Sequence, residues 1–208
     1  MLSKRERTRR AILDAAAATA SEQGLESLSI GGLASSTGMS KSGLFAHFGS
    51  KEELQLATVD HAALIFTREV IEPAQSAPKG VARVWALLDG FLDYIEREVF
   101  AGGCFFATTS AEFKHRPGVV RDRIAQHLAS WDAYLARAVA QGQELGQIGS
   151  GTEARRIAFE LKAFVHTAES HHQLFGDTGV FVDARDAVRE RLESLRPRTA
   201  EKATSVTG

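Results

Sequence analysis

A single cysteine, Cys104, occurs in 208 residues, which excludes an intrachain disulfide and a cysteine-rich zinc site and suits a reducing compartment. Covalent staples are not needed at this length, which is enough for one large or two small domains with a real core. Prolines are sparse, at positions 73, 78, 117 and 197, and between them apolar residues recur at spacings of three and four, the period of amphipathic helices. No stretch alternates Val, Ile and Thr between hairpin dipeptides, so no sheet is expected. Apolar runs such as 15–18 and 62–66 fall far below the roughly 18 to 20 residues that cross a bilayer. The opening residues lead into charge rather than into a secretory apolar core. A phosphate-binding loop, a nucleophile elbow and a dinucleotide fingerprint are all missing, and the acidic pairs Glu52-Glu53 and Glu96-Glu98 read as solvated or capping residues. These absences predict an all-α, cytoplasmic protein that is not an enzyme, carries no cofactor and has no membrane partner.

Charge is balanced overall at −1 but unevenly placed. Up to Lys51 there are seven basic and four acidic side chains, a net of +3, and the remainder nets −4. Five of the first ten residues are Lys or Arg, a pattern shared by arms that touch phosphates and by simply solvated termini.

Helix start and stop signals divide the chain. Ser3 with Glu6 forms a capping-box pattern opening a first helix that runs to Gly24, with Ile12, Leu13, Ala16 and Ala20 inward. Ser29 caps a second helix of about two turns, which Gly38 stops in a left-handed conformation. Ser40 caps a third, with Leu44, Phe45 and Phe48 on one face and Gly49 at its end. Ser50 and Glu53 open a fourth, expected to reach about Val70 before Pro73 and Pro78 end it. Helices are then expected over 80–100, 104–113, from Pro117 to about Gly142, over 152–175 with a Ser150–Glu153 cap, and over 180–195, giving about nine in all. The segment from Pro197 reads as a disordered tail.

Two short helices joined by a turn containing Gly38, the second exposing Ser40, Lys41, Ser42 and His47, have the dimensions of a helix-turn-helix. Leu33, Ala34, Met39, Leu44 and Phe48 would hold such a pair together and leave one face of the second helix for the major groove. Packing alone leaves DNA binding and plain helix pairing equally open. The segment from Ser29 to Leu54, SIGGLASSTGMSKSGLFAHFGSKEEL, resembles the DNA-binding signature of the TetR/AcrR family of transcriptional regulators. Its matching parts are Ser29, Leu33-Ala34, Thr37-Gly38-Met39-Ser40, Leu44-Phe45-Ala46-His47-Phe48 and Lys51-Glu52-Glu53-Leu54.

That resemblance implies an organisation and a set of roles. Residues 1–50 would form a three-helix DNA-binding domain, 51–70 a linking helix, 71–196 a larger ligand-binding and dimerisation domain, and 197–208 the tail. Ser29, Ser40, Lys41, Ser42, Gly43, Phe45, His47 and Lys51 would contact double-stranded DNA, with Ser29 and Lys51 at helix N-termini suited to phosphate. Gly43 departs from the threonine common at its position. Phe45 replaces a tyrosine whose hydroxyl reaches the backbone, so core packing is the reading favoured for Phe45, as it is for Met39. The function implied is a repressor released from a palindromic operator by a small apolar or aromatic ligand. A helical partner-binding protein without operator recognition is the alternative, resting on Gly43 and Phe45.

One such motif reads only a few base pairs, so a homodimer setting two of them about 34 Å apart is expected. Leu161, Phe164, Val165, Ala168 and Leu174, with Val182, Val188, Leu192 and Leu195, form stripes able to build a four-helix bundle with their symmetry mates, or to bury within one chain. Trp85, Phe91, Tyr94, Phe105, Phe106, Trp131 and Tyr134 offer an aromatic lining for an unknown small-molecule effector, with Cys104 beside them, or ordinary core. Cys104 also opens a helix, where the partial positive charge lowers a thiol pKa, while burial raises it. His166, Glu169 and His172 lie at steps of three, but no metal site is expected.

Overall fold

The computed structural model describes residues 3–197; the expected tail from 198 onward lies outside the described residues. Among the described residues ten α-helical segments, a 3₁₀ turn and a π turn follow one another, and there is no strand. The first is α1 (Lys4–Gln23), opened by the reciprocal Ser3–Glu6 capping box. A 3₁₀ turn (Leu25–Ser27) leads to α2 (Ile30–Thr37) and α3 (Lys41–Phe48), capped by Ser29 and Ser40 respectively. Each cap hydroxyl accepts a backbone N–H three residues on, replacing a partner that the first turn of a helix lacks. Gly38 sits at φ 68°, the left-handed stop the turn requires. Ile12, Ala16, Leu33, Leu44 and Phe48 bury together, and the small side chains of Ala16, Ala17 and Ala20 let α1 approach its neighbours closely.

The linking helix α4 (Lys51–Phe66) packs on α1 at one side and on α8 (Val119–Glu144) at the other. It does not stop at its proline. It passes into a π-helical turn (Thr67–Ile71) and a final α turn, α5 (Glu72–Ala74), that contains Pro73. A proline in a helix lacks an N–H and its ring crowds the preceding turn's carbonyl; the wider π turn just ahead of it relieves both demands. The helix therefore continues to Ala74 instead of ending near Val70.

The remaining helices are α6 (Val81–Glu96), α7 (Phe105–Phe113), α9 (Ala154–Phe175) and α10 (Gly179–Ser194). The α6 stripe is the one the periodicity predicts, with Val84, Leu87, Leu88, Phe91 and Ile95 turned inward, whereas Leu174 of α9 and Val182 of α10, expected in their stripes, are exposed. Boundaries shift where turns intervene. Helix α6 ends at Glu96 because Glu98 adopts φ 49°, and Phe100 is buried from the following turn instead of from the helix. Pro117 lies just outside α8, which Gly118 opens and which runs on to Glu144. Glu153, with no side-chain cap bond, precedes α9 in place of a Ser150–Glu153 box.

The α6–α7 turn meets α1 at backbone contact. A Cβ on Gly102 would lie 1.9 Å from the Ser21 carbonyl oxygen, so only glycine fits there. Beside it the Glu112 carboxylate of α7 accepts the Leu25 N–H at 2.7 Å and the Glu26 N–H at 3.0 Å, capping the 3₁₀ turn from outside. No helix among the described residues is long and apolar enough to cross a membrane.

Candidate nucleic-acid interface and ligand cavity

The residues expected to meet DNA lie on α2, α3 and the start of α4. Lys41, Ser42 and Phe45 are exposed along α3, and Ser29 and Ser40 stand at the N-termini of α2 and α3. The Ser40 hydroxyl also lies 3.2 Å from that of Ser42. Gly43 is half-buried, and a Cβ there would approach the Ser40 Oγ to 3.1 Å, so a threonine would crowd the cap. Lys41 lies along α2, its Cε 3.3 Å from where a Gly31 Cβ would sit.

Three side chains differ from expectation. Phe45 is 56% exposed, not core: in a two-turn helix Leu44 and Phe48 take the inward stripe, and Phe45 falls outside it. His47 is half-buried, with its Nδ1 enclosed and without a hydrogen-bond partner. Lys51 donates to the Glu26 carbonyl at 2.6 Å and to Glu26 Oε1 at 2.7 Å, which ties the start of α4 to the 3₁₀ turn. The Lys51 hydrogen bond, seconded by Gln55, holds the Glu26 carboxyl below its usual range. Two of three ammonium donors are thus engaged within the chain. Met39 packs against the core as expected, and Arg9 of α1 lies 5.1 Å from the Phe48 ring centroid, joining the basic arm to α3.

A cavity of about 250 Å³ opens between α4, α6, α7, α8 and α9. Of the aromatic residues expected there, Phe91, Phe106, Trp131 and Tyr134 line it, as does Cys104. Trp85, Tyr94 and Phe105 do not: Tyr94 and Phe105 are closed in core, and Trp85 lies under the Arg189 guanidinium, 4.4 Å from its ring. Sequence reasoning missed Phe66 and Thr67 at the end of α4, Ile71 in the π turn, and the polar His127, Ser130, Arg137 and His166. The α8 set was discoverable, because His127 and Arg137 fall four before Trp131 and three after Tyr134 on one helical face. Phe66 was not, since nothing local shows that α4 reaches the aromatic cluster. Its ring packs edge-on against Phe91 at 5.1 Å, Trp131 at 5.1 Å and Tyr94 at 5.6 Å.

Cys104 is buried, and desolvation, with the nearby Glu169 charge, pushes its thiol up to about 12, so burial overrides the helix N-terminus. The Glu169 carboxylate accepts the Cys104 N–H at 2.7 Å and faces His166 at 3.4 Å. His172 turns away to the Asp177 carbonyl and the Phe181 ring, and no metal-binding cluster occurs among the described residues.

Polar contacts tie the cavity wall to the N-terminal helices through α4. Burial opposes ionisation of Asp60, but hydrogen bonds from Arg123 and His127 of α8 outweigh it and hold the carboxyl below its usual range. Its neighbour His61 donates from Nε2 to Asp14 of α1 at 2.6 Å.

The expected dimer stripe is largely spent inside the chain. Leu161, Val165, Ala168, Val188, Leu192 and Leu195 are buried where α9 and α10 pack on each other and on α6 and α8. Period-3.6 stripes report a buried face without saying which chain covers it. Phe164 is half-buried on a groove with Val180 and Ala187, while Phe159, Leu174, Phe175 and Val182 are exposed.

Among curated proteins none matches the chain. Two family models do: that of bacterial regulatory proteins of the tetR family over residues 12–58, and that of the tetracyclin repressor-like C-terminal domain over residues 80–192. Among solved structures, a TetR transcriptional regulator from Chloroflexus aurantiacus J-10-FL is 27% identical, with 92% of this chain and 97% of that one covered and a TM-score of 0.83. A TetR-family regulator from Cytophaga hutchinsonii is 20% identical over 96% and 100% of the two chains, with a TM-score of 0.79. AibR in complex with isovaleryl coenzyme A and operator DNA shares the fold at 21% identity, 91% and 98% coverage and a TM-score of 0.67. The two family models cover the helix-turn-helix and helices α6 to α9, and the chain belongs to the TetR family of non-enzymatic, DNA-binding transcriptional regulators.

Proposed function

We propose that the protein is a cytoplasmic homodimeric repressor that reads a palindromic operator and leaves it when a small ligand fills the C-terminal cavity. The observation that carries the reading is the capped α2–turn–α3 unit, with Lys41 and Ser42 exposed at the start of α3. Residues 1–50 serve as the DNA-binding unit, 51–70 as the link, and 71–196 as the ligand-binding and dimerisation unit. Lys41, Ser42, Gly43 and His47 face the groove, and Ser29, Ser40 and Lys51 approach phosphates. The Lys51 ammonium keeps its Glu26 tether and offers its third donor.

The second copy packs on the face of α9 and α10 that bears Phe164, Val180 and Ala187, extended by the exposed Leu174 and Val182. Four helices then form the dimer bundle. Release works through α4, because Phe66, Thr67 and Ile71 wall the cavity at one end while Asp60 and His61 bind α8 and α1 farther along. A ligand acts only by binding the DNA-competent and released forms unequally. AibR, solved with both an acyl thioester and operator DNA, lends support to the pairing of effector and operator.

Selection of bound duplexes from a random DNA pool at about physiological salt tests this reading. Enrichment of one palindrome supports it. A folded dimer that enriches nothing removes it in favour of a partner-binding protein, the reading that the exposed Phe45 ring favours.

A further inference from the structure

The cavity walls are graded along α8. Trp131, Tyr134 and Arg137 follow at intervals of three, a row of about 9 Å at the usual helical rise. Trp131 is buried, Tyr134 half-buried and Arg137 exposed, so the row runs from the apolar floor to the mouth. The indole of Trp131 stacks toward Tyr134 at 6.5 Å, and the Arg137 guanidinium sits 5.8 Å from the Tyr134 centroid. Among the described residues no carboxylate pairs with Arg137.

The remaining polar lining, Thr67, Ser130, His127 and His166, adds no acidic group. No Asp or Glu among the described residues lines the cavity. Its two histidines are each backed by a carboxylate outside it: His127 Nε2 donates to Asp60 at 2.8 Å, and His166 Nδ1 faces Glu169 at 3.4 Å. Each carboxylate is thus turned to a histidine ring and not into the cavity. The floor, by contrast, offers Phe66, Phe91, Leu128 and the Trp131 ring, whose N–H has no hydrogen-bond partner. A cationic ligand would meet Arg137 without a compensating carboxylate, and a neutral one would leave the guanidinium unused. At about 250 Å³ the space is below the range that takes drug-sized molecules.

Resting on the reading of this cavity as the effector site, we propose that the effector is a small apolar organic acid, its aromatic or aliphatic body against Phe66, Phe91 and Trp131 and its carboxylate on Arg137. Arg137 supplies a planar pair of donors matched to a carboxylate.

The test is isothermal titration of the full-length protein with aryl-alkanoates from phenylacetate to 6-phenylhexanoate and with their primary amides. At least one acid is expected to bind about tenfold or more tightly than its amide, the order expected of a charge-assisted pair. Arg137→Ala, at an exposed position that leaves the core intact, is expected to erase that preference while amide binding stays. Amides that bind as tightly as the acids, or an acid preference that survives Arg137→Ala, overturn the inference while leaving an effector site in place. Silence of both series overturns the inference and the effector-site reading together.

Discussion

The N-terminal helices and the C-terminal helices are specified by different kinds of information. In α1 to α3 each boundary is written locally, by Ser3, Ser29, Ser40 and Gly38, and the caps hold helices of only eight residues in α2 and α3. Such short helices are marginal alone, so caps and a small shared core decide whether the reading face exists. In α6 to α10 most caps are absent, and long amphipathic stripes packed on one another do the work. The first region presents side chains outward at positions a motif can name, whereas the second encloses a space that no motif names.

That contrast breaks first where the two regions touch. Gly102→Ala drives a Cβ into the Ser21 carbonyl, and the backbone on both sides must part. A destabilisation of roughly 2 to 4 kcal/mol is expected, read from urea denaturation, with operator affinity falling alongside. An unchanged midpoint would mean that the two regions do not meet as closely as described.

Glu112→Ala is next. It strands the Leu25 and Glu26 N–H groups, at a cost of about 1 to 3 kcal/mol if they find no other partner. Because Glu26 also holds Lys51, the start of α4 loosens with it. The variant is expected to weaken DNA binding while titration of the cavity is unaffected; equal weakening at both sites would show that the two regions are one cooperative unit.

The sequence carried the first region well for a physical reason: caps, turns and the Leu33, Leu44 and Phe48 stripe lie within a few residues of what they determine. Lys51 shows the limit, because its Glu26 partner is distant in sequence and nothing local predicts the tether. In the second region the periodicity found the buried faces but not their partners. Leu161, Val165 and Val188 were legible as apolar stripe and illegible as intrachain core. Phe66 lines the cavity because α4 packs on α8 beside the aromatic cluster, and Ile71 reaches it from the π turn, tertiary arrangements without a local sequence rule.

Smaller effects sharpen the comparison. Ser40→Ala removes the cap of α3 and is expected to cost about 1 kcal/mol, with operator binding reduced more than stability alone explains if the helix N-terminus meets DNA as proposed. A comparable cap does not exist in α8 or α9. The smallest effect belongs to Asp60. Its folded-state carboxyl is lowered from the ordinary value of 3.8, so its contribution is fully present above that value and is lost as pH falls through the lowered one. Asp60→Asn is expected to lower the plateau near neutrality slightly and to flatten the acid side of the stability profile below about pH 4, as followed by denaturation across pH.

The most direct test of the proposal that α3 meets DNA is the salt dependence of binding to the selected duplex. Affinity is expected to fall linearly on a log–log plot against salt, with Lys41→Ala weakening binding and lowering the slope by about one for each phosphate that is no longer neutralised. A flat salt response in the wild-type protein, or a slope untouched by Lys41→Ala, would contradict it.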